Sequence, residues 1–62
     1  MAMTSRKMIR YLKKNGFIQI NQNGSHAKMK NHKTGKITII PIHTKDLKIG
    51  TEQAILKQAG LK

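Results

Sequence analysis

The chain has 62 residues, no cysteine, and 13 Lys or Arg residues against two acidic residues, giving a formal net charge of +11. The length allows one domain, over residues 1–62, and the missing cysteine excludes disulfides, thiolate catalysis and a zinc ribbon. The charge favours an anionic partner, and nucleic acid over a membrane surface, because no aromatic-rich apolar helix face is present.

The first predicted element is a helix over residues 5–15. Residues 1–3 are expected to be disordered or added to the natural sequence. Thr4 and Ser5 are candidate N-cap residues, and Asn15-Gly16 is a stop signal because glycine suits the left-handed position after a helix. The apolar residues that recur at helical spacing between them are Met8, Ile9 and Leu12.

Two strands joined by a tight turn are predicted next. In residues 17–21, Ile18 and Ile20 alternate with polar residues, which predicts a half-buried strand with the two isoleucines on its buried side. Asn23-Gly24 is a strong hairpin signal. The alternation resumes after the turn and places Ala27 and Met29 towards the core. The residues predicted to face outward are His26, Lys28 and Lys30.

A third strand is predicted over residues 36–42, followed by a loop and a second helix. Leu47 and Ile49 are expected to anchor the loop, and Thr51 is the predicted N-cap of the helix. Gly60-Leu61 repeats the glycine-plus-apolar stop. The residues expected on the inward face of this helix are Ala54, Ile55, Leu56 and Ala59.

The predicted order is α-β-β-β-α, in the α+β class. Short connections between the strands favour a three-stranded antiparallel sheet. Two helices can cover only one face of such a sheet, so the other face is open to solvent. We expect the row of His26, Lys28 and Lys30 to lie on that open face or at its rim.

Several kinds of catalytic site are disfavoured by the residue types present. Only Asp46 and Glu52 carry carboxylates, too few for the cluster that holds catalytic divalent ions. The three histidines are irregularly spaced and lack acidic support, which makes a metal site weak, and no phosphate-binding loop or dinucleotide fingerprint is present. We therefore expect neither a metal nor another cofactor.

RNA is a substrate on which histidine, lysine and backbone donors suffice, because its 2′-hydroxyl is an internal nucleophile. His26 has the side chain suited to moving a proton near neutral pH. Lys28, about 6.5–7 Å along the same strand face, is placed to bind the phosphate, with Lys30 beyond it. The backbone N–H groups of Gly24 and Ser25 are candidates for a small anion-binding nest.

Each of these residues also has a purely structural interpretation. His26 can be an ordinary turn residue, and Ser25 can hydrogen-bond its own turn. His43, after Pro41-Ile42, is either an auxiliary proton-transfer group or the end of the third strand. Spacing alone does not decide between these alternatives.

Five sequence blocks stand out when taken together and in order. They are Lys13-Lys14-Asn15-Gly16-Phe17, Gln22-Asn23-Gly24-Ser25-His26, Pro41-Ile42-His43, Leu47-Lys48-Ile49-Gly50-Thr51 and Ile55-Leu56-Lys57-Gln58-Ala59-Gly60-Leu61. These blocks resemble the HicA toxins, the mRNA-cleaving halves of HicA/HicB toxin–antitoxin pairs. The resemblance extends from about Ser5 to Leu61.

This resemblance implies a fold like that of double-stranded-RNA-binding domains and a metal-independent endoribonuclease acting on mRNA in the cytoplasm. It implies a HicB-like antitoxin partner, with the toxin as a monomer within a larger complex. The family's catalytic histidine corresponds to His26 and its turn glycine to Gly24. The residues after the histidine are bulkier or aromatic in many relatives, whereas here they are Ala27-Lys28-Met29. The two aromatic residues, Tyr11 and Phe17, are expected to pack internally.

Three functions are therefore open for this chain. An endoribonuclease toxin with His26 in acid–base chemistry is the leading hypothesis. A non-catalytic RNA-binding module would leave bound RNA intact. A protein-interaction module, whose basic face docks on an acidic partner, would need no RNA.

Overall fold

The computed structural model describes residues 3–42 and 46–62. It confirms the predicted α-β-β-β-α order. The elements are helix α1 (Ser5–Lys14), strands β1 (Phe17–Asn23), β2 (His26–Asn31) and β3 (Ile37–Pro41), and helix α2 (Ile49–Gln58). Neither helix, in this part of the chain, has the length and apolarity needed to cross a bilayer.

Helix α1 begins and ends at the predicted signals. Thr4 is the N-cap, and its hydroxyl oxygen accepts a hydrogen bond from the Lys7 N–H at 3.1 Å. Asn15 is the C-cap, and Gly16 follows with a φ of +90°, the left-handed conformation in which glycine is favoured. Tyr11 was expected to pack internally; this prediction is wrong, since its side chain lies on the solvent side of the helix.

The three strands form an antiparallel sheet in the order β1-β2-β3. Both helices pack on one face of it, which confirms the predicted α+β arrangement. The buried residues contributed by the sheet are Phe17, Ala27, Met29, Asn31, Thr38 and Ile40. Those contributed by the helices, their caps and the loop before α2 are Ser5, Met8, Leu12, Leu47, Ile55 and Ala59.

The predicted orientation of β1 is wrong. Ile18 and Ile20 are 48% and 42% exposed, whereas Phe17 is buried in the core. The physical reason is that Phe17 directly follows the Gly16 cap, which directs its ring under α1. Since successive side chains of a strand point to opposite faces, Ile18 is then turned outward.

The predicted start of α2 is also wrong. The helix begins at Ile49, which is 71% exposed, so Ile49 does not anchor the loop and Thr51 is not the N-cap. Lys48 occupies the cap position without a side-chain hydrogen bond, and its carbonyl accepts from the Glu52 N–H at 2.9 Å. Leu47 is buried in the core, whereas Ile49 begins the helix on its solvent side.

Two hydrogen bonds tie α2 and the loop before it to Met3, which lies just ahead of α1. The Met3 carbonyl accepts from the Leu47 N–H at 2.7 Å, and the Met3 N–H donates to the Glu52 carboxylate at 3.3 Å. Met3 thus packs against α2 and the loop before it.

The end of α2 matches the predicted signal. The Leu61 N–H donates to the Leu56 carbonyl at 2.9 Å, which confirms the predicted stop. Of the residues expected to face inward on α2, Ala54 is exposed.

Candidate nucleic-acid interface

Strand β2 carries the outward row predicted from its alternation. Ala27 and Met29 are fully buried against the helices, and the side chains between them point the other way. His26 and Lys28 are exposed and Lys30 is half-buried. The sheet therefore brings these three residues together on its open face.

The turn before His26 contains two residues, Gly24 and Ser25, and is closed by the pair of Asn23 with His26. Gly24 has a φ of +60° and Ser25 does not have a positive φ, which fits a type II′ turn with glycine in its first position. The predicted hairpin is confirmed. A Cβ added at Gly24 would meet no atom within 4 Å, so the backbone conformation, not space, is what requires glycine.

The turn offers backbone donors next to the histidine. Within residues 3–42 and 46–62, no hydrogen bond uses the N–H group of Gly24 or of Ser25. The Ser25 carbonyl accepts from the Ile42 N–H, which ties the turn to the chain leaving β3. Both N–H groups are therefore free to bind an anion at this end of the sheet.

Strand β3 adds an apolar border that the sequence analysis missed. Lys28 lies opposite Ile39, and Lys30 lies opposite Ile37. Ile39 is 50% exposed, because its side chain shares the open face with the basic row. The run of β-branched residues in β3 predicted a strand but gave no indication of which isoleucines face solvent.

Strand β1 adds two asparagines through an irregularity in its pairing. Gln19 lies opposite Met29, but Asn21 lies opposite Lys28, so Ile20 is an extra residue and the strand contains a β-bulge. Asn21 and Asn23 consequently share the open face with Lys28 and His26. No bulge signal, such as a glycine within the strand, occurs in β1, and these two asparagines were not predicted as site residues.

The open face contains a shallow depression of about 360 Å³ beside the turn. It brings together two predicted site residues, His26 and Lys28, with three residues that were not predicted to belong to the site. Lys30, Gly24 and Ser25 do not line it. The lining residues are Asn21, Asn23, His26, Lys28 and Ile39.

The polar side chains of this depression are not engaged by the part of the chain that the structure describes. The described residues form no hydrogen bond or ion pair with the His26 imidazole, and the Asn21 and Asn23 amides are likewise unpaired there. Glu52, by contrast, accepts from the backbone of Met3. No group of three His, Asp or Glu residues suited to a metal ion occurs in the described ranges. His43 lies outside the described residues.

Comparison with known proteins identifies the family. Residues 5–61 match the family model described as the HicA toxin of bacterial toxin–antitoxin systems. A search of curated proteins returned no match. Because the family match covers nearly the whole chain, the protein belongs to the HicA family and is the toxin of a bacterial toxin–antitoxin pair.

Proposed function

We propose that this toxin is an endoribonuclease that cleaves mRNA without a metal ion, with His26 as general acid or base. Lys28, and Lys30 beyond it, bind the phosphate, and the Gly24 and Ser25 N–H groups add backbone donors. His43 is a candidate auxiliary group. The observation that carries the proposal is an exposed imidazole, unpaired among residues 3–42 and 46–62, beside an ammonium group on a face without carboxylates.

The chemistry needs little from the protein. The 2′-hydroxyl of RNA loses its proton and attacks the adjacent phosphorus, so that an O2′–P bond forms while the P–O5′ bond breaks and O5′ gains a proton. His26 takes or gives one of these protons, which is worth about 10²–10⁴-fold in rate. The Lys28 ammonium stabilises the negative charge that develops on the phosphoryl oxygens.

The test is His26→Ala, with His32→Ala as the matched control, because His32 is an exposed histidine outside the depression. We expect His26→Ala to lower the rate of RNA cleavage by about 10²–10⁴-fold in the presence of a chelator. Its thermal unfolding midpoint should match that of the parent, since the side chain is exposed and unpaired. His32→Ala should cleave at the parental rate.

A second substrate tests the nucleophile. RNA with a single 2′-deoxynucleotide at the cleavage site should stay intact at that bond, while the neighbouring RNA bonds remain sensitive. Unchanged cleavage by His26→Ala would refute the assignment of the histidine. Binding without any cleavage by the parent protein would instead favour the RNA-binding module.

The family implies an antitoxin, and we propose that it is HicB-like and covers the open face of one toxin monomer. A face with an excess of ammonium groups and no acidic residue of its own favours acidic side chains near His26. We expect the purified complex to cleave RNA at less than a tenth of the rate of the free toxin. Equal rates would show that the antitoxin binds elsewhere.

A further inference from the structure

We propose that the depression beside His26 binds one nucleobase of the RNA, and that the amides of Asn21 and Asn23 select which base is bound. This inference rests on the proposed RNA cleavage and adds a source of sequence preference to it. It assigns a role to two side chains that neither the core nor the acid–base chemistry requires.

The first support is the bulge in β1. Counting from the buried Phe17, simple alternation would turn Ile20 and Gln22 towards the open face. The extra residue at Ile20 changes this, so that Asn21 lies opposite Lys28 and Asn23 opposite His26. Bulges occur often beside functional sites, where they redirect a side chain. Here the bulge replaces an isoleucine and a glutamine by two asparagines next to the histidine.

The hydrogen bonds on the two sides of β1 differ accordingly. On the other side of the strand, the Gln19 amide donates to the Gln22 side-chain oxygen at 3.0 Å. Within the described chain, the amides of Asn21 and Asn23 make no such bond. An unpaired amide offers a donor and an acceptor in one plane, the combination that reads the edge of a base.

The third support is the shape and composition of the depression. Its volume of about 360 Å³ is at the lower end of the range for small-ligand sites, which suits a single base. Ile39 supplies an apolar wall for the flat face of a base, and Lys28 lies opposite it to hold the adjoining phosphate. Single-stranded RNA presents unstacked bases that proteins recognise by such contacts and by hydrogen bonds to base edges.

The same amides facing a phosphate would give affinity without sequence preference, because phosphate contacts carry no sequence information. The two interpretations make different predictions for cleavage-site sequences. A base-selecting role requires that cleavage by the parent toxin depend on the identity of one nucleotide flanking the broken bond. A phosphate-binding role requires no such dependence.

The experiment uses an RNA pool randomised on both sides of a fixed position, with sequencing of the cleaved ends. The variants are Asn21→Ala, Asn23→Ala and the double substitution, and the control is Gln22→Ala, an amide in the same strand outside the depression. We expect the parent and the control to share a preference at one flanking nucleotide. The double variant should weaken that preference by on the order of tenfold, the usual contribution of a bidentate base contact.

A double variant that keeps the preference, or a parent that cleaves all sequences alike, would overturn the proposal. If the alanine variant unfolds by circular dichroism, Asn21→Ser repeats the test with a polar side chain that lacks the amide. Sequencing the RNA retained by His26→Ala separates this proposal from the proposed catalysis. Enrichment of one base in the retained RNA, and its loss when both asparagines are replaced, would support the base-binding site even if the parent toxin leaves RNA intact. An absence of enrichment would overturn the proposal.

Discussion

The two faces of the sheet carry neighbouring residues of the same strands under opposite constraints. On the covered face, Ala27 and Met29 are fully buried by the helices. On the open face, the side chains of His26 and Lys28 contact solvent and make no hydrogen bond to any described residue. Packing therefore explains the residue types of the covered face. It does not explain those of the open face, so the residue types there indicate a surface that binds a ligand.

Strand β3 shows that hydrophobicity alone does not distinguish the faces. Ile39 is half exposed on the open face, whereas Thr38 is buried and donates from its hydroxyl to the Gln58 side-chain oxygen at 2.9 Å. A polar group is stable inside because it has a partner. The exposed Ile39 is not isolated, since Ile37 shares the same face of β3, and a group of exposed apolar residues is typical of a contact surface.

The largest expected difference between the two faces is a loss of stability on the covered face. Met29→Ala should lower the free energy of unfolding by about 2–5 kcal/mol, because it removes a fully buried side chain and leaves a cavity. That is comparable to the whole stability of a domain of this size. Urea unfolding followed by circular dichroism measures it, and a loss below about 1 kcal/mol would show that the site collapses around the smaller residue.

The adjacent Lys28→Ala is the counterpart on the open face. Its unfolding free energy should change by less than about 0.5 kcal/mol, as is usual for exposed positions. Its rate of RNA cleavage should instead fall by about tenfold, since a charged hydrogen bond to the phosphate is lost. A large loss of stability here would break the comparison, because the open face would then belong to the packed structure.

A smaller effect on stability tests the turn that joins β1 and β2. Gly24→Ala should cost about 1 kcal/mol of stability, since alanine disfavours a φ of +60° although its Cβ meets no atom. Gly50→Ala is the matched control, because Gly50 lies in α2 with open space around it and a helical alanine gains about 0.5–1 kcal/mol. Thermal unfolding should show midpoints that move in opposite directions; a shared direction would contradict the role of the turn.

Local signals were enough to predict much of the fold. Thr4 and Asn15-Gly16 determine the ends of α1 through hydrogen bonds and a backbone conformation that involve only neighbouring residues. The hairpin turn at Gly24 and the alternation of β2 are local in the same sense. Since His26 and Lys28 lie on that strand, their common face followed from the alternation as well.

The features that could not be predicted depend on contacts between distant residues. Phe17 competes with Ile18 for the core, and the cap of α1 decides the outcome. The start of α2 depends on Met3, which binds both Leu47 and Glu52 across the fold. The placement of Asn21 and Asn23 on the open face depends on a bulge, which arises from the pairing of two strands and not from the residue types in one.

The bulge also determines how β1 tolerates changes in length. Each of the other six residues of β1 has a partner in β2. Removing one of them would turn the side chains between the deletion and the bulge to the opposite face of the sheet. Loss of Ile20 would leave the six existing pairs in an unbroken ladder. A deletion in this strand is therefore best absorbed at Ile20, where it leaves the residues that pack under the helices on their present face.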